Sequence, residues 1–186
     1  AVVWWKIPLL KKAAENFLSG KDIRAEELLA FKDFCKSKKN WLNDFALFMS
    51  IKTVYDKKAA EEKPANSIWY AWWPEKLALH DEGALADWYK ENKNDVDSYK
   101  VIQFFFDQQW TALKKYANEN GISLIGDIPI FVAPDSADVW SNQKLFQLDK
   151  NGKPHCVAGV PPDYFCADGQ LWGNPLYDWD RMKADG

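Results

Sequence analysis

The chain has 186 residues and a net charge of −3, with 47% hydrophobic and 27% charged residues, which fits a soluble globular domain and excludes a disordered segment. Lys and Arg are spread along the helical part rather than gathered into a basic surface, so no nucleic-acid partner is expected. No apolar run approaches the roughly 20 residues that a bilayer span requires, so no membrane partner is expected either. Taken in chain order, the first predicted helix runs Leu9 to Leu18, with apolar residues at three- and four-residue spacing and Ser19-Gly20 as its stop. A second, Ala25 to Lys36, puts Leu28, Leu29, Phe31, Phe34 and Cys35 largely on one side. A third, from about Trp41 to Tyr55, carries Trp41, Leu42, Phe45, Phe48 and Met49. The segment Glu61 to Pro74 interrupts this rhythm, because Lys63-Pro64 and Trp73-Pro74 favour extended or turn backbone.

A short helix is predicted over Ala84 to Lys90. A long one follows, capped by Asp95 or Asp97 and closed after Glu119 by Asn120-Gly121. Its inner surface is read as Val101, Phe104, Phe105, Gln108, Leu113 and Tyr116. At Gly121 the pattern changes: Ile122 to Ile125 reads as a short buried strand ending in Gly126-Asp127. A helix delivering a short buried strand with an acidic end is found at the working rim of a βα barrel, and equally in doubly wound sheets. Asp135-Ser-Ala-Asp138-Val-Trp140 reads as a turn entering one helical turn, with Asp135 as its cap. Leu145 to Leu148 and Pro154 to Ala158 flank Asp149-Lys-Asn-Gly152 as a hairpin, and Gly159 to Tyr177 reads as a long loop. No internal repeat or low-complexity tract occurs.

The chemistry available is narrow. Two histidines, His80 and His155, leave little material for a His-rich metal site or a Ser-His-Asp triad, and no metal is expected. No G-x-G-x-x-G and no P-loop is present. Three widely spaced cysteines, Cys35, Cys156 and Cys166, show no disulfide or zinc framework, so a reducing cytoplasm is expected. Acid–base chemistry would fall to carboxylates. The 11 tryptophans are unusual: flat rings stack on sugar faces, but they also fill cores, and only position decides between the two.

Asp127 reads either as a cleft acid that holds a substrate hydroxyl or as a turn aspartate. Asp135 reads as that cap, or Asp135 and Asp138 line a sugar cleft. In Val160-Pro-Pro-Asp-Tyr-Phe165 two prolines stiffen the approach to Tyr164 and Phe165, which suits either an aromatic lid over a sugar chain or a hydrophobic staple. Gln170 and Asn174 offer donors and acceptors for hydroxyl pairs, with Trp172 between them as a stacking plane.

Four blocks carry a resemblance: Gly126-Asp-Ile-Pro-Ile-Phe-Val-Ala133, Asp135-Ser-Ala-Asp-Val-Trp140, Val157-Ala-Gly-Val-Pro-Pro-Asp-Tyr-Phe165 and Gly169-Gln-Leu-Trp-Gly-Asn-Pro-Leu-Tyr177. In order and spacing they resemble the amylomaltases, the 4-α-glucanotransferases of glycoside hydrolase family 77. Asn43-Asp-Phe-Ala46, Trp72-Trp-Pro74 and Gln109-Trp-Thr-Ala-Leu-Lys114 agree more loosely, so the likeness extends over essentially the whole chain. The resemblance implies an α/β fold: a fragment of a (β/α)8 TIM barrel with an inserted, mainly helical subdomain, helix-rich overall. Residues 1–120 would be the helical insertion, and residues 121–186 a barrel strand with active-site loops and a small hairpin.

By the same resemblance, Asp127 matches an acidic residue at the end of the third barrel strand. Tyr164 and Phe165 match a mobile aromatic loop over the donor sugars, and Asp163, Gln170 and Trp172 match positions that contact glucan. The implied reaction transfers α-1,4-glucan segments between maltooligosaccharides, or chains derived from starch or glycogen, with retention and without a cofactor. A retaining mechanism needs two carboxyl groups about 5–5.5 Å apart. The family's Arg-x-Asp-His-Phe-type strand does not occur in this sequence, so the nucleophile and the acid/base are expected beyond Gly186. The absent initiator methionine and a chain end inside a predicted helix give the expectation that both ends are cut. Two further readings compete: a non-catalytic glucan-binding module, and a helical domain that uses its tryptophans on a protein partner.

Overall fold

Helical periodicity dominates the first two thirds of the chain, and the computed structural model follows it. It describes residues 2–21 and 23–185, with the side chains of residues 2–4 left aside. Helices α1 (Val2–Leu18), α2 (Ala25–Ser37) and α3 (Lys39–Glu62) come first. The short α4 (Trp69–Trp72) and α5 (Glu75–Ala78) follow, then α6 (Glu82–Glu91) and the long α7 (Lys93–Glu119). Helix α3 outruns its apolar stripe because its tail, Asp56 to Glu62, is rich in the good helix formers Lys, Ala and Glu. It ends where Lys63, at φ 51°, precedes Pro64. Gly20 and Gly121 close α1 and α7 in the left-handed region, at φ 69° and 76°.

Two expectations about α7 are corrected. Its N-cap is Asn92, not Asp95 or Asp97. Asp95 sits in the first turn, where its charge suits the helix dipole, and it accepts a 2.7 Å bond from Lys11 of α1. Asp97 lies buried within the helix and is held by Tyr89 and Lys93. The inner face of α7 covers Val101, Phe104 and part of Phe105, whereas Gln108, Leu113 and Tyr116 are exposed. The stripe continues past residue 105, but the helices that pack on it do not: α1 and α2 meet α7 through Phe17, Phe31 and Phe34.

The chain packs as two units, one from residues 1–50 and 88–128, the other from 51–87 and 129–186. In the first, Phe17, Phe31, Phe34 and Phe104 form a ring cluster with centroids 5.5–6.0 Å apart, built on Ala14, Leu42 and Val101. A second cluster joins Ala46, Val96 and Tyr99 to Trp88, whose indole N–H donates to Ser50.

In the second unit the buried rings are Trp69, Trp73, Trp140 and Phe146. Trp69 donates to the Pro134 carbonyl at 2.8 Å, and Trp140 donates to the Leu77 carbonyl at 2.9 Å. Burying an indole without a partner for its N–H would be costly, and each of these has one. For Trp69, Trp73 and Trp140 position therefore decides in favour of the core.

The carboxyl-terminal part holds α8 (Ala137–Ser141), a 3₁₀ turn at Gln143–Leu145, strands β1 (Val157–Val160) and β2 (Gln170–Pro175), and α9 (Trp179–Asp185). The predicted hairpin closes at Leu148↔Pro154, with Gly152 at φ 82°. Phe146 bridges instead to Tyr177.

The stretch Gly159 to Tyr177, expected as loop, contains most of an antiparallel β1–β2 pair. The buried strand expected over Ile122 to Ile125 is not formed, and Ile125 is 96% exposed. A strand exists only through a neighbour that takes its N–H and C=O groups, and among the described residues none pairs with this run. Among the described residues no βα barrel is assembled.

Candidate functional site

The β1–β2 pair and the loop between its strands organise the site. The register runs Val160↔Gln170 and Gly159↔Leu171, then shifts to Val157↔Pro175. Trp172, Gly173 and Asn174 therefore face the single residue Ala158, and Gly173 takes φ 81°. This is a bulge on β2, a device that re-aims side chains. Two of the sequence-predicted residues, Trp172 and Asn174, stand on it.

Gln170 and Trp172 share a face: the indole N–H donates to Gln170 Oε1 at 2.9 Å. The Trp172 ring meets Phe131 edge-on at 5.7 Å and stays 49% exposed. Asn174 is half-buried. The strands approach closely because Gly159 and Gly169 carry no side chain: a Cβ on them would lie 2.7 Å from the Gln170 carbonyl and 2.6 Å from that of Val160.

The loop over residues 161–169 carries Asp163, Tyr164 and Phe165. Asp163 Oδ1 accepts from the Phe165 N–H at 2.9 Å and the Cys166 N–H at 2.8 Å, so its carboxylate serves the loop's own backbone. Tyr164 and Phe165 are 97% and 89% exposed, with their rings perpendicular at 5.6 Å. Neither ring is buried, so among the described residues they staple nothing together.

Asp135 departs from expectation. It does not cap α8; Ser136 does, its Oγ accepting from the Val139 N–H at 3.3 Å. Asp135 instead takes a 2.6 Å bond from Lys52 of α3, while its Oδ1 is buried without a hydrogen-bond partner. Burial would lower the Lys52 pKa, but its bonds to Asp135 and Asp56 outweigh that and hold it above its usual value. The cap reading of Asp135 thus gives way to an ion pair that anchors the segment after Pro134. Lys52 carried no signal in the sequence, because its partner is 83 residues distant.

Asp127 is exposed, and its Oδ1 accepts from the N–H of the next residue, Ile128, at 2.8 Å. It belongs to the first unit, and the other candidates to the second. Among the described residues no group of three or more His, Cys, Asp or Glu is placed to hold a metal ion. No helix among them is long and apolar enough to cross a membrane.

Exposed stacking rings beside amide and carboxylate groups suit a polyhydroxylated ligand. Against known proteins, residues 1–186 match the glycoside hydrolase 77 family, described as 4-alpha-glucanotransferase. The chain belongs to this family. It is 43% identical to the 4-alpha-glucanotransferase of Streptococcus pneumoniae over 96% of its own length and 33% of that protein's. It is 41% identical to that of Thermus thermophilus, over 98% of this chain and 34% of the relative.

A chloroplastic/amyloplastic relative from Oryza sativa is 44% identical over 97% of this chain and 29% of its own length. Among solved structures, the amylomaltase of Streptococcus agalactiae in complex with acarbose matches with a TM-score of 0.83 at 39% identity. That match covers 96% of this chain and 33% of the amylomaltase. The chain thus spans about a third of the length of the 4-alpha-glucanotransferases it resembles.

Proposed function

We propose that this chain is the glucan-binding part of a 4-α-glucanotransferase. That enzyme moves α-1,4-glucan segments between maltooligosaccharides or starch-derived chains, by a retaining mechanism and without a cofactor. The observation that carries the reading is the family match across all 186 residues, together with 39% identity to an amylomaltase in complex with acarbose. In support, Tyr164, Phe165 and Trp172 offer accessible ring faces, and Gln170 and Asn174 stand on the same short strand as Trp172. Stacking planes flanked by hydrogen-bonding amides are what a glucan chain needs for recognition.

On this reading residues 1–120 form an inserted helical subdomain and residues 121–186 a segment of a (β/α)8 barrel, in which Ile122 to Ile125 pairs with strands supplied by the rest of the enzyme. Asp127 then reaches a cleft from the end of that strand. The nucleophile and the acid/base, which must stand about 5–5.5 Å apart, lie outside these residues. The first attacks the anomeric carbon and forms a covalent glycosyl-enzyme bond while the second protonates the departing glucan. The second then takes the proton of an acceptor hydroxyl, whose oxygen attacks the anomeric carbon and releases the first as a free carboxylate. Cys35, Cys156 and Cys166 are all free thiols, in keeping with a reducing compartment such as the cytoplasm.

The test is to give maltotriose to the complete enzyme that contains these residues, and separately to residues 1–186. Longer and shorter glucans from the complete enzyme, and none from the isolated residues, are expected. A complete enzyme that binds maltooligosaccharides without redistributing them would replace this reading by a binding module. Transfer by residues 1–186 alone would overturn the placement of the catalytic pair.

A further inference from the structure

The turn beneath the two most exposed aromatic rings is built from its own residues. One carboxylate oxygen, Asp163 Oδ1, takes both the Phe165 and the Cys166 N–H. The Asp163 N–H donates to the Cys166 carbonyl at 3.0 Å, which closes the turn from the other side. That carbonyl also receives the Gly169 N–H at 3.2 Å, and the Cys166 thiol donates to the Gly169 carbonyl at 3.0 Å.

Gly169, at φ 72°, passes so near the Val160 carbonyl that a Cβ would lie 2.6 Å from it. The turn is thereby seated against the end of β1. The rings of Tyr164 and Phe165 stand in solvent, at 90° to each other.

We propose that Asp163 is a positioning residue: its Oδ1 holds the turn that presents Tyr164 and Phe165 to a glucan chain, and it acts through those rings rather than by hydrogen-bonding the sugar. This rests on the glucan-binding reading above. A side chain with an acceptor at the same place can do the same work without a charge, so asparagine should replace aspartate here. A carboxylate that gripped sugar hydroxyls would lose its charge-assisted bonds in that exchange. Ordering the rings before glucan arrives lowers the cost of binding, so loss of the turn should appear in KM first.

The experiment compares Asp163→Ala, Asp163→Asn and Asp163→Ser with the unaltered complete enzyme, each first checked for native far-UV dichroism. Amide hydrogen exchange at Phe165 and Cys166 and KM for a maltooligosaccharide donor are then measured. Alanine should speed exchange of both amides and raise KM, each by about tenfold. Asparagine should bring both back to within about threefold of the unaltered enzyme, with serine intermediate.

The proposal is overturned if alanine leaves the two amides protected. It is equally overturned if asparagine restores protection while KM stays as high as in the alanine variant. An unaltered enzyme without transferase activity would overturn the function proposed above, while the exchange comparison would still decide whether Asp163 holds the turn.

Discussion

Trp172 is fixed twice, by Gln170 Oε1 on its indole N–H and by the edge of Phe131, yet 49% of it stays in solvent. A ring held in one orientation and still half open loses little freedom when a sugar stacks on it. Trp172→Ala in the complete enzyme should therefore weaken maltooligosaccharide binding by about 1 kcal/mol, about fivefold in Kd, as calorimetric titration would read. An unchanged Kd would remove Trp172 from the site.

Asp149 gives a pH test of a different kind. The N–H groups of Lys153 and Asn151 hold its carboxyl below the usual carboxylate range. Because the folded-state pKa is the depressed one, this contribution is present above the unfolded value and is lost as pH falls through the folded value. An NMR titration should show the Asn151 and Lys153 amides moving together, with a midpoint below that of a free aspartate. A midpoint at the ordinary value would mean that the turn does not use the carboxylate.

At the level of elements, the site depends on a strand pair that local sequence conceals. Val157–Val160 contains a glycine, Gln170–Pro175 contains both a glycine and a proline, and the residues between them read as turn formers. No alternation of apolar and polar residues survives a bulge, so the pairing is visible only once the two backbones are set side by side. Helices fared better because periodicity is local: α2 ends one residue from its expected end, and α6 encloses the predicted Ala84–Lys90.

The identities of Tyr164, Phe165, Gln170 and Trp172 as candidates were legible from residue type. The roles of Asp135 and Asp163 were not, because a carboxylate looks the same in sequence whether it meets a lysine, a backbone amide or a sugar. The strand pair yields its own prediction. Gly159→Ala places a methyl group 2.7 Å from the Gln170 carbonyl and should part β1 from β2. The cost is about 1–3 kcal/mol in stability by denaturant unfolding of the complete enzyme, with a parallel rise in KM for glucan. Native stability in that variant would mean that the strands can separate without loss.

For the whole molecule the decisive quantity is uncovered apolar surface. In the first unit Phe106, Trp110, Leu113 and Tyr116 on α7, with Ile122, Leu124, Ile125 and Ile128 beyond it, are all exposed. Isolated apolar side chains at a surface are ordinary, but a continuous run along one helix and its successor exceeds what a monomer commonly leaves to water. Relatives three times as long have additional chain with which to cover such a surface, and the unpaired backbone at Ile122 to Ile125 calls for the same neighbours.

Residues 1–186 expressed alone should therefore associate as concentration rises and bind an apolar fluorescent dye, and the complete enzyme should do neither. Exchanging Leu113 for Glu and Ile125 for Lys should suppress the association at unchanged helix content, since both side chains face solvent and support no core. Sedimentation analysis separates the outcomes. A concentration-independent monomer of residues 1–186 would show that this surface needs no cover. Association that survives both substitutions would place the sticky surface elsewhere in the chain.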